Sequence, residues 1–600
     1  MQSPAKSFIG QVPVPTLAHV SLGLAGMMWV YSFLNYYHAY PMTTFYQEWG
    51  TAVLGVGAMI LLLSGEYWRQ AEIPRIAFLP VGMMLLVVAQ FLLGKVGYFG
   101  QMLLYTLYMM WAALLIMLGG RLREVLGLPV VATVLAVFLL LGAELNALAG
   151  LHQHFQWHSF LDQVVTTKVS AGVFGNVAQP NHYADYLVLG LASLGLLYAR
   201  GALRAWQAAL LALPILFVLP LTGSRGTWIY LMWLAGSAFM WQRRNRTERP
   251  LFYYTLAVLV GFGLMHLVIQ LPWLQAGSGS VNTVQRMLAE DVGSGGVRLY
   301  LWREAGMMFL NSPLIGVGFG QYGWNHYELA PLLHNPGITG LYNNAHNLVM
   351  QLAAEGGLAA LLVLVGTVLP WLLRAWRGER SIYHWWGYAL LAVLAAHSML
   401  EYPLWYAYFL GIAALTLGLL DTGRYRLEFG FTGRMLVLLV ILLGAVSLQQ
   451  LFSGYRYYEA LTTARPEPGN AGPYMDLMNK SIAEMQKRAL LQPYADMQIS
   501  TMIDVSPDRL EDKLKLNSAV MHFVPMPSAA YRQSMLLAQK GDIADAQAEM
   551  ERAIWSFPGD FSGEAETLDK LAAKDPDHFR ALLEFTLRKH EEYLGAVHTK

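Results

Sequence analysis

The sequence predicts an all-α, polytopic membrane protein of about 13 transmembrane helices, with one large extramembrane loop and a soluble helical C-terminal domain. Three observations predict it. Of 600 residues, 56% are hydrophobic and only 13% charged, against about 25% charged in a soluble domain. Apolar runs long enough to cross a hydrocarbon core of ~30 Å recur between residues 17 and 452. Lys and Arg fall in alternate connecting loops, the asymmetry that sets the orientation of such bundles.

The runs are, in order, 17–36, 50–64, 76–93, 101–119, 128–151, 183–199, 203–221, 226–241, 251–271, 347–373, 386–401, 403–420 and 434–452. Six short loops hold sixteen arginines: Arg69 and Arg75; Arg121 and Arg123; Arg200 and Arg204; Arg243, Arg244, Arg246 and Arg249; Arg374, Arg377 and Arg380; Arg424, Arg426 and Arg434. The intervening loops hold only Lys95, Lys168, Arg225, Arg286, Arg298 and Arg303. The Arg-rich side is expected to be cytoplasmic, together with Lys6 at the N-terminus. Residues 272–346 and everything after 453 are then external.

Four parts follow: 1–271, packed N-terminal spans; 272–346, a large polar loop; 347–452, closing spans; and 453–600, a soluble helical domain set off by Pro466, Glu467 and Pro468. Within the last, Gly541, Ala546, Ala553 and Pro558 are spaced like a tetratricopeptide-type helix pair, small where two helices close and Pro where the second ends. One such unit is evident, and a generic helical hairpin fits the same residues.

Composition excludes several chemistries. Cysteine is absent, so disulfides, thiol catalysis and thiolate metal sites are excluded. The net charge of +1 comes with no basic stripe, so no nucleic-acid partner is expected. Pro13 and Pro15 interrupt the N-terminus, and no small-residue cleavage site follows the first run, unlike a secretory signal. His152, His154 and His158 form H-x-H-x3-H without a carboxylate in the motif, a weak zinc pattern. They read as ordinary loop histidines, as do His326 and His334. No metal and no cofactor are expected. Asp575-Pro576-Asp577 mimics a sugar-nucleotide motif, but on the wrong side of the membrane for nucleotide sugars.

Polar residues at membrane depth are costly and functional, and four clusters qualify. Gln179, Asn181 and His182 lie where an external loop re-enters the bilayer. Arg225 lies in the turn Thr222–Gly226. Arg298, Arg303, His346 and Asn347 belong to the large loop and its end. His397, Glu401 and Tyr402 make a short turn between two spans. All four are external by the arginine count. Guanidinium forks match phosphate oxygens, so Arg225, Arg298 and Arg303 are candidates to bind a diphosphate. Arg225 could equally pin a helix end to headgroups, and Arg298 or Arg303 could be a solvated face of an amphipathic helix. His346 is a candidate general base, with Glu401 and Tyr402 orienting substrate or imidazole. A transporter or flippase, the alternative of another class, would show midplane charges and a two-fold internal repeat; neither is present in the sequence.

GNVAQPNHYADYL, TGSRGTW, NSPLIGVGFGQYGWNHY, NNAHNLVMQLAAEGG and HSMLEYPLWYAYF together resemble bacterial protein O-oligosaccharyltransferases of the PglL type, within the O-antigen ligase and polymerase superfamily. The resemblance covers about residues 172–420. It implies a GT-C-like, O-antigen ligase architecture in the bacterial inner membrane, with the large loop and C-terminal domain periplasmic. It implies a glycan donor linked to undecaprenyl diphosphate and an acceptor serine or threonine on a secreted protein such as a pilin. Membrane lipids would surround it. By the same resemblance His346 matches the family's essential histidine, Gln179 its glutamine before the sixth span and Tyr402 the tyrosine of L-E-Y-P. Arg225 and Arg298 or Arg303 match arginines that hold the lipid diphosphate. Ligation to lipid A–core and polymerisation of repeat units are the alternatives within the superfamily.

Overall fold

The computed structural model describes residues 13–169, 172–275 and 293–598; Lys6 and Arg286 lie outside the described residues. Every one of the thirteen apolar runs coincides with a helix. These are α1 (Val14–Leu34), α2 (Phe45–Ala58), α3 (Phe78–Leu92), α4 (Phe99–Leu126), α5 (Leu128–Phe155), α6 (Pro180–Ala199), α7 (Ala205–Leu221), α8 (Gly226–Arg244), α9 (Arg249–Val268), α12 (Leu348–Arg377), α13 (Ile382–Ser398), α14 (Ala407–Leu420) and α15 (Gly430–Thr463). Two more, α10 (Gly293–Asn311) and α11 (Tyr322–Leu333), fall in the large loop. Seven follow in the C-terminal region: α16 (Gly472–Gln486), α17 (Gln492–Ser500), α18 (Leu510–Phe523), α19 (Pro527–Lys540), α20 (Ile543–Ser556), α21 (Phe561–Lys574) and α22 (Pro576–His598). Eight helical stretches among the described residues are long and apolar enough to span a bilayer, and α7 and α14 are shorter apolar helices. The chain is a multi-pass membrane protein.

It divides into two units. The first comprises Met1–Gly82, Leu107–Gly293 and Val363–Gln449. Its centre is α6, buried without a break from His182 to Leu197, as a helix apolar on all sides should be. Helix α6 packs on α5, α7, α8, α9 and α13. Tyr183 and Tyr186 on α6 send their hydroxyls to the carbonyls of Asn146 and Trp29 at 2.8 and 3.0 Å. At the rim, by contrast, α15 leaves Leu436, Leu439, Leu442, Leu443 and Val446 exposed, a surface suited to acyl chains. Two short strands, β1 (Ala71–Pro74) and β2 (Arg424–Leu427), pair antiparallel with Ala71 opposite Leu427 and Pro74 opposite Arg424. Buried Asp421 fastens the neighbouring turns, accepting from the Ile76 and Gly423 amides at 2.9 Å and from Arg374 Nη2 at 3.1 Å.

The second unit comprises Met83–Thr106, Ser294–Leu362 and Gln450–Lys600. Two glycines decide how its membrane-side elements meet. Helix α12 is broken at Gly357, at φ 60° and ψ −156°, where no side chain fits comfortably. The stretch 313–318 lies against this break: Val317 N donates to Ala354 O at 2.9 Å and Leu358 N to Pro313 O at 2.7 Å. A Cβ on Gly316 would stand 2.2 Å from the Glu355 carbonyl carbon, and one on Gly357 2.5 Å from Gly316 N. Helices α19 and α20 form the small-residue hairpin expected from the sequence, turned by Gly541 at φ 92° with Ala546 and Ala553 fully buried.

Candidate active site

In the first unit three of the four polar clusters meet. Gln179 caps α6 by accepting the His182 amide on Oε1 at 2.6 Å. Its neighbour Asn181 donates from Nδ2 to Glu401 Oε1 at 3.2 Å, so the loop before α6 touches the turn between α13 and α14. Buried His182 lies among His397, Tyr406 and Phe409, with ring centroids 5.3, 4.9 and 5.3 Å away. His397 Nδ1 is 2.9 Å from Asp185 Oδ2, both side chains almost wholly excluded from solvent. Tyr402 and Tyr406 stack at 5.9 Å, and burial pushes the Tyr402 phenol above its ordinary range. The third cluster joins through Val173 N, which donates to Leu221 O at 3.0 Å beside the Thr222–Gly226 turn. Half-buried Arg225 is at the start of α8.

Residues that the sequence reading passed over build the loop that carries Gln179. Gln153 Nε2 donates to the Thr166 and Gly175 carbonyls at 2.8 Å, and its Oε1 accepts from Phe174 and Gly175 N at 3.2 and 2.9 Å. Asn146 Oδ1 accepts from Asn176 N at 3.2 Å, and Asn176 Nδ2 donates to Leu34 and Val164 O at 2.9 and 2.8 Å. Glu48 Oε2 accepts the Ala407 amide at 2.6 Å, fixing the far end of the L-E-Y-P turn. An amide inside an apolar run is the available signal for Asn146, since a buried polar group needs partners. Gln153 was hidden by its histidine neighbours. Of those histidines, His152 and His158 both face Asp162, at 2.9 and 3.8 Å, with the His158 side chain 96% exposed, while His154 turns away to the Leu274 carbonyl at 3.0 Å. Among the described residues no group of side chains is arranged to hold a metal ion.

In the second unit, His346 occupies the last left-handed position before α12, at φ 52°. Its amide donates to Asn344 Oδ1 at 2.8 Å. Next to it, Ala345 is clasped on both sides: its amide donates to Gln351 Oε1 at 2.7 Å, and its carbonyl accepts from Trp302 Nε1 at 3.1 Å. Asn347 caps α12, accepting from Val349 and Met350 N at 3.0 and 3.1 Å. Arg298 and Arg303 both lie on α10; Arg298 is half buried and Arg303 exposed. Arg303 is thus the solvated face of that helix.

His326 is not a loop histidine, whereas His334 lies just beyond the end of α11. His326 is buried on α11, with Nδ1 2.8 Å from Glu304 Oε2 on α10. His334 closes α11 in a left-handed conformation and packs edge-on to Trp555 at 4.7 Å. The sequence offered no periodic cue linking Glu304 to His326, which stand on different helices. Asp575, in the sugar-nucleotide-like motif, bonds His578 Nδ1 at 2.9 Å at the start of α22.

The O-antigen ligase family model matches residues 208–365, which hold Arg225, Arg298, Arg303 and His346. A protein glycosylation ligase model matches residues 173–198, the segment of Gln179, Asn181 and His182. The C-terminal model of virulence factor membrane-bound polymerases matches 385–569, which includes His397, Glu401 and Tyr402. Among relatives, a general O-oligosaccharyltransferase of Acinetobacter baylyi is 27% identical over 459 residues, 72% of this chain and 76% of that protein. A ComP-specific O-oligosaccharyltransferase of the same species is 21% identical over 387 residues, 64% and 68% of the two chains. The polar clusters of both units therefore fall where these families match, and the chain is similar to the PglL-type protein O-oligosaccharyltransferases of the O-antigen ligase superfamily.

Proposed function

We propose that this glycosyltransferase moves a preassembled oligosaccharide en bloc from undecaprenyl diphosphate to serine or threonine hydroxyls of periplasmic proteins such as pilin. The observation that carries the reading is the Asn181–Glu401 hydrogen bond. It unites A-Q-P-N-H and L-E-Y-P, the two motifs that resemble the protein-glycosylating branch, on one face of the first unit. The arginine asymmetry supports an inner-membrane location with the large loop and C-terminal region in the periplasm.

In this reading the acceptor oxygen attacks the anomeric carbon while His346 takes its proton. The bond from that carbon to the diphosphate oxygen breaks, and its electron pair stays on the leaving diphosphate. Arg225 and Arg298 neutralise the charge that develops there. Gln179, Glu401 and Tyr402 orient the reacting groups, and Asn181, His182, His397 and Asn347 support them. The displacement is single, inverting and metal-independent: a diphosphate is already a good leaving group, so charge neutralisation by arginine suffices.

The test is transfer in a bacterial host that lacks its own O-antigen ligase, supplied with a lipid-linked glycan and a candidate pilin and read by intact-protein mass. A glycan-sized gain that survives EDTA and disappears in His346→Ala is expected. The O-antigen ligase and polymerase matches favour a second reading, ligation to lipid A–core or repeat-unit polymerisation. Glycan on lipid A–core with unmodified pilin would establish the ligase.

A further inference from the structure

His346 lies near the end of the irregular chain 334–347, and both backbone polar groups of Gly340 within it are held. Its amide donates to the Ser556 carbonyl at 2.7 Å, at the end of α20 in the C-terminal region. Its carbonyl oxygen lies 3.3 Å from His326 Nε2. A carbonyl only accepts, so Nε2 carries a proton. The imidazole is fixed from the other side by Glu304, which is fully buried, through the 2.8 Å contact with Nδ1. The Tyr342 ring, two residues beyond Gly340, packs edge-on to the same imidazole at 5.5 Å.

The C-terminal grip is broad. Tyr327, one residue from His326 on α11, sends its hydroxyl to Glu549 Oε1 at 2.7 Å and stacks on Phe557 at 6.0 Å. Trp324 stacks on His522 at 4.0 Å. At the other end of the run, Trp302 and Gln351 clasp Ala345. Residues 340–345 are thus strung between two fixed peptides, and the second adjoins His346.

We propose that His326 is a positioning residue for transfer. With Glu304 behind it and the Ser556 carbonyl on the residue's amide, it clamps Gly340 and so sets where His346 stands. The role rests on reading His346 as the base. It also gives the C-terminal region a part in the reaction that needs no acceptor contact: α20 holds one jaw of the clamp. A base displaced by about 1 Å loses on the order of 100-fold in rate, so a device of this kind is worth building even far from the chemistry.

Two near-isosteric variants test it in the full-length protein. His326→Asn keeps an amide near the Nδ1 position, facing Glu304, but is too short to reach Gly340. His326→Gln places its amide near the Nε2 position and keeps the Gly340 contact. Amide hydrogen exchange of the 335–347 segment is read with kcat and KM for the lipid-linked donor. His326→Asn is expected to speed exchange there by about tenfold and to lower kcat by about 10- to 100-fold, with KM little changed. His326→Gln is expected to recover most of both. Unchanged exchange in His326→Asn, or a His326→Gln variant that behaves like His326→Asn, would overturn the clamp. His346→Ala in parallel keeps the two readings apart: transfer retained there removes the base, while the exchange result still decides the clamp.

Discussion

Asp185 and His397 face each other at 2.9 Å on α6 and α13, one side chain wholly and the other almost wholly excluded from solvent. The contact joins the two helices whose ends carry Asn181 and Glu401, so it supports the polar face from beneath. Removing one partner leaves the polar atoms of the other buried without compensation, at a cost of about 1–3 kcal/mol. Asp185→Ala is therefore expected to lower the melting temperature in detergent sharply and to reduce transfer with it. Asp185→Asn, which keeps an acceptor for the ring, should lose less of both.

His346 separates strain from chemistry. Its left-handed backbone costs an ordinary residue about 1–2 kcal/mol, and glycine adopts it freely. His346→Gly is expected to melt no lower than the native protein while transfer falls by ~10²–10⁴-fold, the contribution of a positioned base. His346→Val should lose transfer and stability together. Thermal melts beside intact-mass transfer assays distinguish the two effects.

The break in α12 gives a third prediction. At Gly357 a methyl group would meet both the left-handed backbone and Gly316 N at 2.5 Å. Gly357→Ala is expected to destabilise the second unit by at least ~1–3 kcal/mol. Because stretch 313–318 rests on this break, hydrogen exchange should rise there first.

The C-terminal region carries a pH dependence that can be signed. His590 stacks on Phe561 with centroids 3.6 Å apart, and burial holds its imidazole below the ordinary 6.5, against a smaller upward pull from Glu591. The unfolded chain therefore binds this proton more readily than the folded one, and stability falls as pH drops from 6.5 through the lowered value. His590→Gln should flatten that slope. A native melting temperature that does not change between pH 7 and about pH 5 would refute the assignment.

Much of the fold was legible because membrane helices obey composition. Every apolar run became a helix, and VRLYLWREAG became α10 with Arg303 on its exposed side. The residues at the ends of α6 and α13 were legible as polar groups that a bilayer would otherwise exclude. Their mutual contacts were not, since no periodicity connects Asn181 to Glu401 or Asp185 to His397. The amides that shape the Gln179 loop were missed for a related reason. Asn146 and Gln153 act through backbone groups far along the chain, and a sequence shows a side chain but not the carbonyls it will meet. The His326–Glu304 pair was missed because His326, taken alone, fits a loop and Glu304 a solvated helix face.

The β1–β2 pairing has a consequence for the order of assembly. Glu72 and Arg426, bonded at 3.0 Å, stand 354 residues apart. At ~5–20 residues per second, roughly 20–70 s of synthesis separate the two strands. Throughout that interval β1 is an open edge, with hydrogen-bonding groups free to pair with another chain. It lies in an Arg-bounded loop, beside Arg69 and Arg75, which keeps that edge charged while it waits. The strand pair is completed only after α14 has been made, so a chain truncated before residue 424 would insert its early helices and leave β1 without its partner.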